Sequence, residues 1–213
     1  WSSQIPVLHD QVISAAKAVG ATVVVPGNVY VFGAQTPQPW GTETAHRAAN
    51  PLGRIRVEME LAYRHSGVQT IVLRAGDFID TTQSGNWFDS IMTKNLSKGR
   101  FTYPGDCDAD HAWAYLPDLA RAAVQLAQMR ADLPTFNDIP FPGYTLTGTA
   151  LAAALGRILN RPVRLRQMSW LPLQLLQPVW PMARCLMEMR YLWNVAHQLD
   201  GAVLDRHLPG FAL

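Results

Sequence analysis

Apolar side chains recur at helical spacing at Val7, Leu8, Val12, Ala15, Ala16 and Val19, and Gly20 follows as a stop, which predicts a first amphipathic helix. Thr22 to Val25 is short, β-branched and almost wholly apolar. Such a run predicts a strand buried on both faces of a parallel sheet. The same pair of patterns then repeats. Asn50 and Pro51 suit the cap and first position of a helix whose Leu52, Ile55, Met59, Ala62 and Tyr63 share one face up to Gly67. A second buried strand, Gln69 to Leu73, follows directly. A third amphipathic helix is predicted from Asp118 to Met129, with an acidic residue at its start, and a fourth from Thr147 to Leu159, with a hydroxyl cap. Between them, Leu133 to Tyr144 is rich in proline and aromatic residues and reads as the transition to a smaller lobe.

Alternating helices and buried strands predict an α/β fold: a Rossmann-like parallel sheet with helices on both faces and a small, mainly helical C-terminal lobe. The expected division is residues 1–132 for the sheet domain and 133–213 for the lobe, interleaved with the first. The helical pattern begins almost at once after Trp1, so the expectation is a sheet whose first βαβ portion lies outside this sequence. Sheets of this kind bind ligands beyond the carboxyl ends of their strands. That rule directs attention to Pro26–Gly33 and Arg74–Asp80.

Composition narrows the partners. The chain has 213 residues, 48% of them apolar and 16% charged, with a formal net charge of +2. Disorder and polyanion binding are poor readings of that balance. Arginine outnumbers lysine 15 to 3 without forming a basic block, so no nucleic-acid partner is expected. Cys107 and Cys185 do not make a disulfide framework, and no signal peptide is recognisable at the start, so the default compartment is the cytoplasm. Met168 to Met187 is rich in Leu, Trp and Met, but Pro172, Pro178, Pro181 and Arg184 interrupt it well short of the roughly 18 unbroken apolar residues a spanning helix needs. The pattern predicts short helices over an apolar surface and no membrane span; from Met168 to Trp193 the Trp, Met and Leu residues suit an apolar substrate pocket or a partner surface, with packing between lobes the plainest role.

Several residues are candidates for chemistry. No GxGxxG occurs, and Gly27 and Gly33 have the wrong spacing for a phosphate loop. Asp106, Asp108, Asp110 and His111 lie close together, yet the calcium-loop rule fails at its sixth and twelfth positions, where His111 and Pro117 stand, so no metal is expected. Cys107 has no basic neighbour in sequence to lower its pKa and reads as an inert thiol. Asp77 suits either a ligand group or a turn, and Arg74 either an ion pair, with Asp77 among the possible partners, or an anionic ligand. Tyr30 suits either a core aromatic in a strand or a catalytic phenol. Tyr63 lies too far along its helix to act at Leu52 and reads as core.

Val23-Val24-Val25-Pro26-Gly27-Asn28-Val29-Tyr30-Val31-Phe32-Gly33, followed by Asn50-Pro51-Leu52-Gly53-Arg54-Ile55-Arg56, resembles the extended short-chain dehydrogenase/reductase family in its NAD-dependent epimerase/dehydratase branch. The resemblance continues through Val72-Leu73-Arg74-Ala75-Gly76 and Trp113-Ala114-Tyr115-Leu116-Pro117-Asp118-Leu119-Ala120, and on to Leu146-Thr147. It implies an NAD or NADP cofactor, a nucleotide sugar or similar carbonyl or alcohol substrate, and a homodimer through the first two helices. In residue terms it implies catalytic-site roles for Asn28 and Arg56, with Tyr30, water or the substrate left to carry proton transfer, cofactor contacts at Pro26, Gly27, Arg56, Arg74, Ala75 and Gly76, and substrate contacts at Asp77, Phe78 and His111. The family's Ser/Tyr/Lys set falls on Asn28, Leu52 and Arg56. Leucine cannot transfer a proton, and arginine holds its proton permanently. The departures leave an atypical oxidoreductase on one side and an inactive dinucleotide-binding or scaffold protein on the other.

Overall fold

The computed structural model describes residues 3–213. Helix α1 (Ile5–Val19), strand β1 (Val23–Asn28), helix α2 (Pro51–Ser66) and strand β2 (Thr70–Ala75) follow in the predicted order. β1 runs three residues past its apolar stretch because Pro26, Gly27 and Asn28 pair in register with Leu73, Arg74 and Ala75. Tertiary pairing overrides weak strand propensity here, and β1 stands at the edge of the sheet among the described strands. Asn50 sits at the cap position of α2, but its side chain makes no cap bond.

Strand β3 (Asp77–Ile79) continues from β2 after Gly76, and β4 (Arg100–Tyr103), β5 (Ala112–Tyr115) and helix α3 (Leu116–Gln128) follow. Next come β6 (Phe136–Pro140), β7 (Tyr144–Thr145), α4 (Gly148–Ile158), β8 (Arg164–Gln167), α5 (Leu171–Leu176), α6 (Pro181–Met189) and α7 (Ala202–His207). The central sheet is parallel in the order β1-β2-β6, while β3-β5-β7 and β4-β8 form two smaller sheets. Every residue of β2 is buried, the apolar run Ile71-Val72-Leu73 together with Thr70, Arg74 and Ala75, as befits the middle strand of the sheet.

Helices cover both faces of the central sheet. Ile13, Ala16, Met59 and Tyr63 of α1 and α2 pack on Val25 and Val72, and Leu119, Ala122, Leu126 and Leu204 of α3 and α7 pack on Ile71, Leu73 and Ile139. The α/β architecture is therefore as expected. Chain beyond residue 132 contributes to this layer as well, since β6 and α7 belong to it. The remainder gathers α4, β8, α5 and α6 around a separate core of Trp113, Trp170, Trp193, Phe101 and Leu151.

Residues 168–193 do not simply pack between lobes. Leu173, Leu186 and Met187 face that core, while Leu171, Leu175, Leu176, Val179, Trp180 and Met182 are exposed. No described helix is long and apolar enough to cross a membrane.

Candidate functional site

The carboxyl ends of β1 and β2 carry the site. β1 passes into a 3-10 turn, Val29–Val31, and the Asn28 Oδ1 accepts the Tyr30 backbone N–H at 3.0 Å. Tyr30 is therefore a turn residue rather than a strand residue, and its ring leaves the sheet to line a cavity of roughly 90 Å³ with Leu52, Asp77, Trp87 and Trp193. Met182, Cys185 and Leu186 of α6 form another wall. Tyr30 and Asp77 are the strongly polar groups in an otherwise apolar enclosure.

Asp77 is anchored from behind. Its Oδ2 lies 2.8 Å from His111 Nε2, and its side chain is 28% exposed while that of His111 is 2% exposed. The His111 ring is clamped: it stacks on Trp193 with centroids 4.4 Å apart and planes 3° from parallel, and the edge of His197 meets it at 4.4 Å. His197 stacks on Trp40 and its Nδ1 faces the Val195 carbonyl at 2.8 Å, leaving Nε2 buried without a hydrogen-bond partner. Burial, then the neighbouring His111, pushes His197 down to about 3. His197 is thus neutral, with Nδ1–H donating.

Burial, and after it the Asp77 charge, pushes the Tyr30 phenol well above its ordinary value, against a pull from Arg56. Tyr30 therefore stays a phenol, with a hydroxyl that can donate a hydrogen bond to a ligand rather than act as a phenolate. Burial pulls the Arg56 guanidinium down from its usual value, while Tyr30 and Glu60 pull it back.

Leu52 fills the place the resemblance gives to a catalytic tyrosine. It is 5% exposed, and its backbone N–H donates to Glu188 Oε1 at 2.6 Å. Asn50 Nδ2 donates to the same oxygen at 2.8 Å, so Glu188 on α6 takes over the capping role expected of Asn50.

Other expected contacts lie elsewhere. Arg74 is fully buried and is spent on structure: Nε and Nη2 bind Asp138 at 3.1 and 2.6 Å, Nη1 and Nη2 bind Glu60 at 3.1 and 2.7 Å, and Nη1 binds the Asn28 carbonyl at 2.6 Å. It has no donor left for a cofactor, and its partner is not Asp77. Gly27 serves strand packing, since a Cβ there would lie 2.7 Å from Val72 Cγ1, and a Cβ on Gly76 would collide with the Ala112 carbonyl. Ala75 is buried, Pro26 faces outward from the sheet edge, and Phe78 packs against the α3 core rather than the cavity. Of the expected residues, Tyr30 and Asp77 share the cavity, with His111 behind Asp77 and Arg56 electrostatically coupled to Tyr30.

His46, Glu60 and Asp138 offer three ligand atoms within 4.8 Å of one another. Arg74 already bridges both carboxylates, and a fixed guanidinium there repels a cation, so the donor set does not fit a metal ion. In the Asp106–Asp110 loop, Asp106 Oδ1 instead accepts the Asp108 backbone N–H at 3.0 Å, and Asp108 Oδ1 accepts from Thr149 Oγ1 of α4 at 2.7 Å. Burial, then Asp108 and Asp106, pushes the Cys107 thiol up, in keeping with an inert sulfur.

Sequence reading overlooked Glu188, His197 and Asp138, whereas Trp193 ends the stretch from Met168 that it offered as a possible pocket lining. Of the three, Asp138 carried a local signal: a carboxylate inside the run Phe136-Asn137-Asp138-Ile139-Pro140 demands a buried partner.

Neither a protein-family model nor a curated protein sequence matches the chain. Solved structures do match in fold. A GalE-like L-threonine dehydrogenase from Cupriavidus necator superposes with a TM-score of 0.74 at 17% identity, over 96% of this chain and 64% of that one. The dTDP-glucose 4,6-dehydratase of Streptomyces venezuelae, solved with NAD, gives 0.68 at 16% identity, over 96% and 59%. A UDP-galactose 4-epimerase gives 0.67 at 12% identity, over 93% and 60%. The chain thus spans about 60% of the length of these enzymes and shares their fold.

Proposed function

We propose that this chain is the carboxyl-terminal part of an atypical NAD(P)-linked oxidoreductase of the epimerase/dehydratase kind, acting on a nucleotide sugar or a similar carbonyl or alcohol substrate. The observation that carries the reading is the pairing of Tyr30 with a His111-anchored Asp77 in one apolar cavity at the carboxyl ends of β1 and β2. The residues fit only one end of a dinucleotide. Arg56 offers donors for ribose hydroxyls beside Tyr30, but the N-terminus of α2 is already occupied by the Glu188 carboxylate and leaves no cradle for a diphosphate. On this reading the phosphate loop lies upstream of Trp1.

A bound nicotinamide supplies hydride acceptance or donation. The chain supplies the proton chemistry. Asp77 takes the proton from a substrate hydroxyl on its cavity-facing oxygen, His111 fixes that carboxylate, and Tyr30 donates a hydrogen bond to the substrate oxygen. Asn28, whose Oδ1 holds the Tyr30 turn, orients rather than reacts. A cavity of roughly 90 Å³ is well below the ~300 Å³ at which ligand pockets begin. Substrate entry therefore requires α6 to move outward.

The rival reading, a retired dinucleotide-binding or scaffold protein, is favoured by the replacements at Asn28, Leu52 and Arg56, above all by Leu52, a buried plug where the resemblance calls for a proton donor. Titrating NADH and NADPH by fluorescence into a chain extended upstream, with the 213-residue form as control, separates the two. Saturable binding, followed by turnover that Asp77→Asn lowers by ~10²–10⁴ without unfolding the protein, is the expected result. Absence of binding to either form, or turnover indifferent to Asp77, removes the proposal. Activity gained by Leu52→Tyr with Arg56→Lys over an inert parent would establish the retired site.

A further inference from the structure

The α5–α6 hairpin presents an unusual surface. Leu171, Leu175, Val179 and Met182 are 59, 70, 78 and 48% exposed, and Leu176 and Trp180 are each 42% exposed. These six large side chains fall within twelve consecutive residues, so they form a patch rather than the scattered exposure ordinary on soluble surfaces. The hairpin is seated from beneath, because Leu173, Leu186 and Met187 pack against the core built on Trp113, Trp170 and Trp193. Its outer face therefore cannot turn inward to hide.

Charge identifies what covers it. From residue 139 to residue 187 the sequence has five arginines, Arg157, Arg161, Arg164, Arg166 and Arg184, and neither an aspartate nor a glutamate. Each of the five is exposed. Arg164 and Arg166 stand on β8, which leads into α5, and Arg184 lies on α6 itself. The chain as a whole is nearly neutral at +2, so this stretch of sequence carries a local excess of positive charge that is offset elsewhere along the chain. An apolar patch that includes a tryptophan, with exposed Arg184 on α6 and exposed Arg164 and Arg166 on the strand that leads into α5, matches the interfacial zone of an anionic bilayer. A protein partner or second copy of this chain would have to offer an acidic rim instead.

We propose that the α5–α6 hairpin docks this protein onto an anionic lipid surface, with Leu171, Leu175, Val179 and Trp180 entering the headgroup and upper acyl region and the arginines contacting lipid phosphates. The apolar side chains supply the insertion and the arginines select the lipid charge. α6 also walls the cavity through Met182, Cys185 and Leu186, so docking would hold that wall at the bilayer. The proposal stands whether or not the chain has enzymatic activity.

Sedimentation with sucrose-loaded vesicles tests it, using phosphatidylcholine alone and phosphatidylcholine with 30% phosphatidylglycerol as probes. The expected result is binding to the anionic vesicles, weakened several-fold by 0.5 M salt, with blue-shifted tryptophan emission. Leu175→Glu with Val179→Glu should lower binding more than about tenfold, and Arg166→Gln with Arg184→Gln about tenfold or more. All four positions are exposed, so far-UV circular dichroism should be unchanged. Equal binding to neutral vesicles would overturn the charge argument. Concentration-dependent self-association abolished by the glutamate pair, without vesicle binding, would assign the face to a second copy. Binding by the 213-residue chain that disappears when the chain is extended upstream would mean that upstream residues cover the hairpin, and would equally overturn the proposal.

Discussion

Two polar clusters lie near the carboxyl ends of the central strands, and they are built on opposite terms. Around Arg74, the guanidinium donates to Glu60, Asp138 and the Asn28 carbonyl from all three of its nitrogens, and Arg74 and both acids are buried. Burial alone would lower the Arg74 pKa, but the two carboxylates raise it above its ordinary value. Around Asp77, satisfaction is partial: one carboxylate oxygen is bonded to His111, the residue is partly exposed to a cavity, and His197 keeps a buried nitrogen without a partner. Buried polar groups that complete one another serve the fold. Those left with spare capacity beside an opening are placed to meet a ligand.

The sharpest way to break this comparison is to remove one member from each cluster. Arg74→Met strands two buried carboxylates and should cost about 3–5 kcal/mol in urea unfolding, enough to threaten the fold. Adding Glu60→Gln and Asp138→Asn to that variant should restore much of the loss, because the desolvated charges are then gone. Asp77→Asn should shift stability by less than about 1 kcal/mol, since it retains an acceptor for His111 and is partly exposed. If Asp77→Asn proves as destabilising as Arg74→Met, the contrast between a structural and a functional cluster collapses.

A smaller effect is expected where the two lobes meet. Glu188 accepts from Leu52 N–H and Asn50 Nδ2, so it caps α2 from outside that helix. Glu188→Ala should lower stability by about 1–2 kcal/mol in the same assay, and Glu188→Gln by distinctly less because an acceptor remains. Equal losses for the two would show that packing of α6, rather than the cap, holds the cavity wall in place.

The fold was more legible in the sequence than the site, for reasons visible in particular residues. The periodicity of Leu52, Met59 and Tyr63, and the apolar run ending at Leu73, are local consequences of burial, and the first two helices and strands follow from them. Arg74 was ambiguous because its partners lie 14 and 64 residues away, on α2 and β6, and no local spacing brings them together. Asp77 and His111 were singled out separately, but their 2.8 Å bond spans 34 positions and exists only once β3 pairs with β5. Gly27 and Gly76 look like cofactor glycines in a sequence, whereas the same lack of a side chain serves strand packing here. The short helices of the hairpin were legible, but the choice among inter-lobe packing, pocket lining and open surface was not, because an apolar composition says nothing about which way its residues face.

The finest distinction between the clusters is a pH effect carried by His197. Its pKa is about 3 in the folded chain against 6.5 as its ordinary value, with burial the main cause and the His111 ring the next, opposed by the Val195 carbonyl and Asp77. Between those two values the unfolded chain binds more protons than the folded one, so stability is complete above about pH 6.5 and declines as the pH falls toward 3. The slope from this residue is on the order of 1 kcal/mol per pH unit. His46, pushed down to about 4 by burial and then by Arg74, acts in the same direction and remains in any His197 variant. His197→Phe keeps an aromatic ring against Trp40 and removes the titrating nitrogen, so its unfolding free energy between pH 4 and 6.5 should fall less steeply than that of the parent. Parallel profiles would mean that the orphaned nitrogen is relieved in the folded protein, and the second cluster would then be as complete as the first.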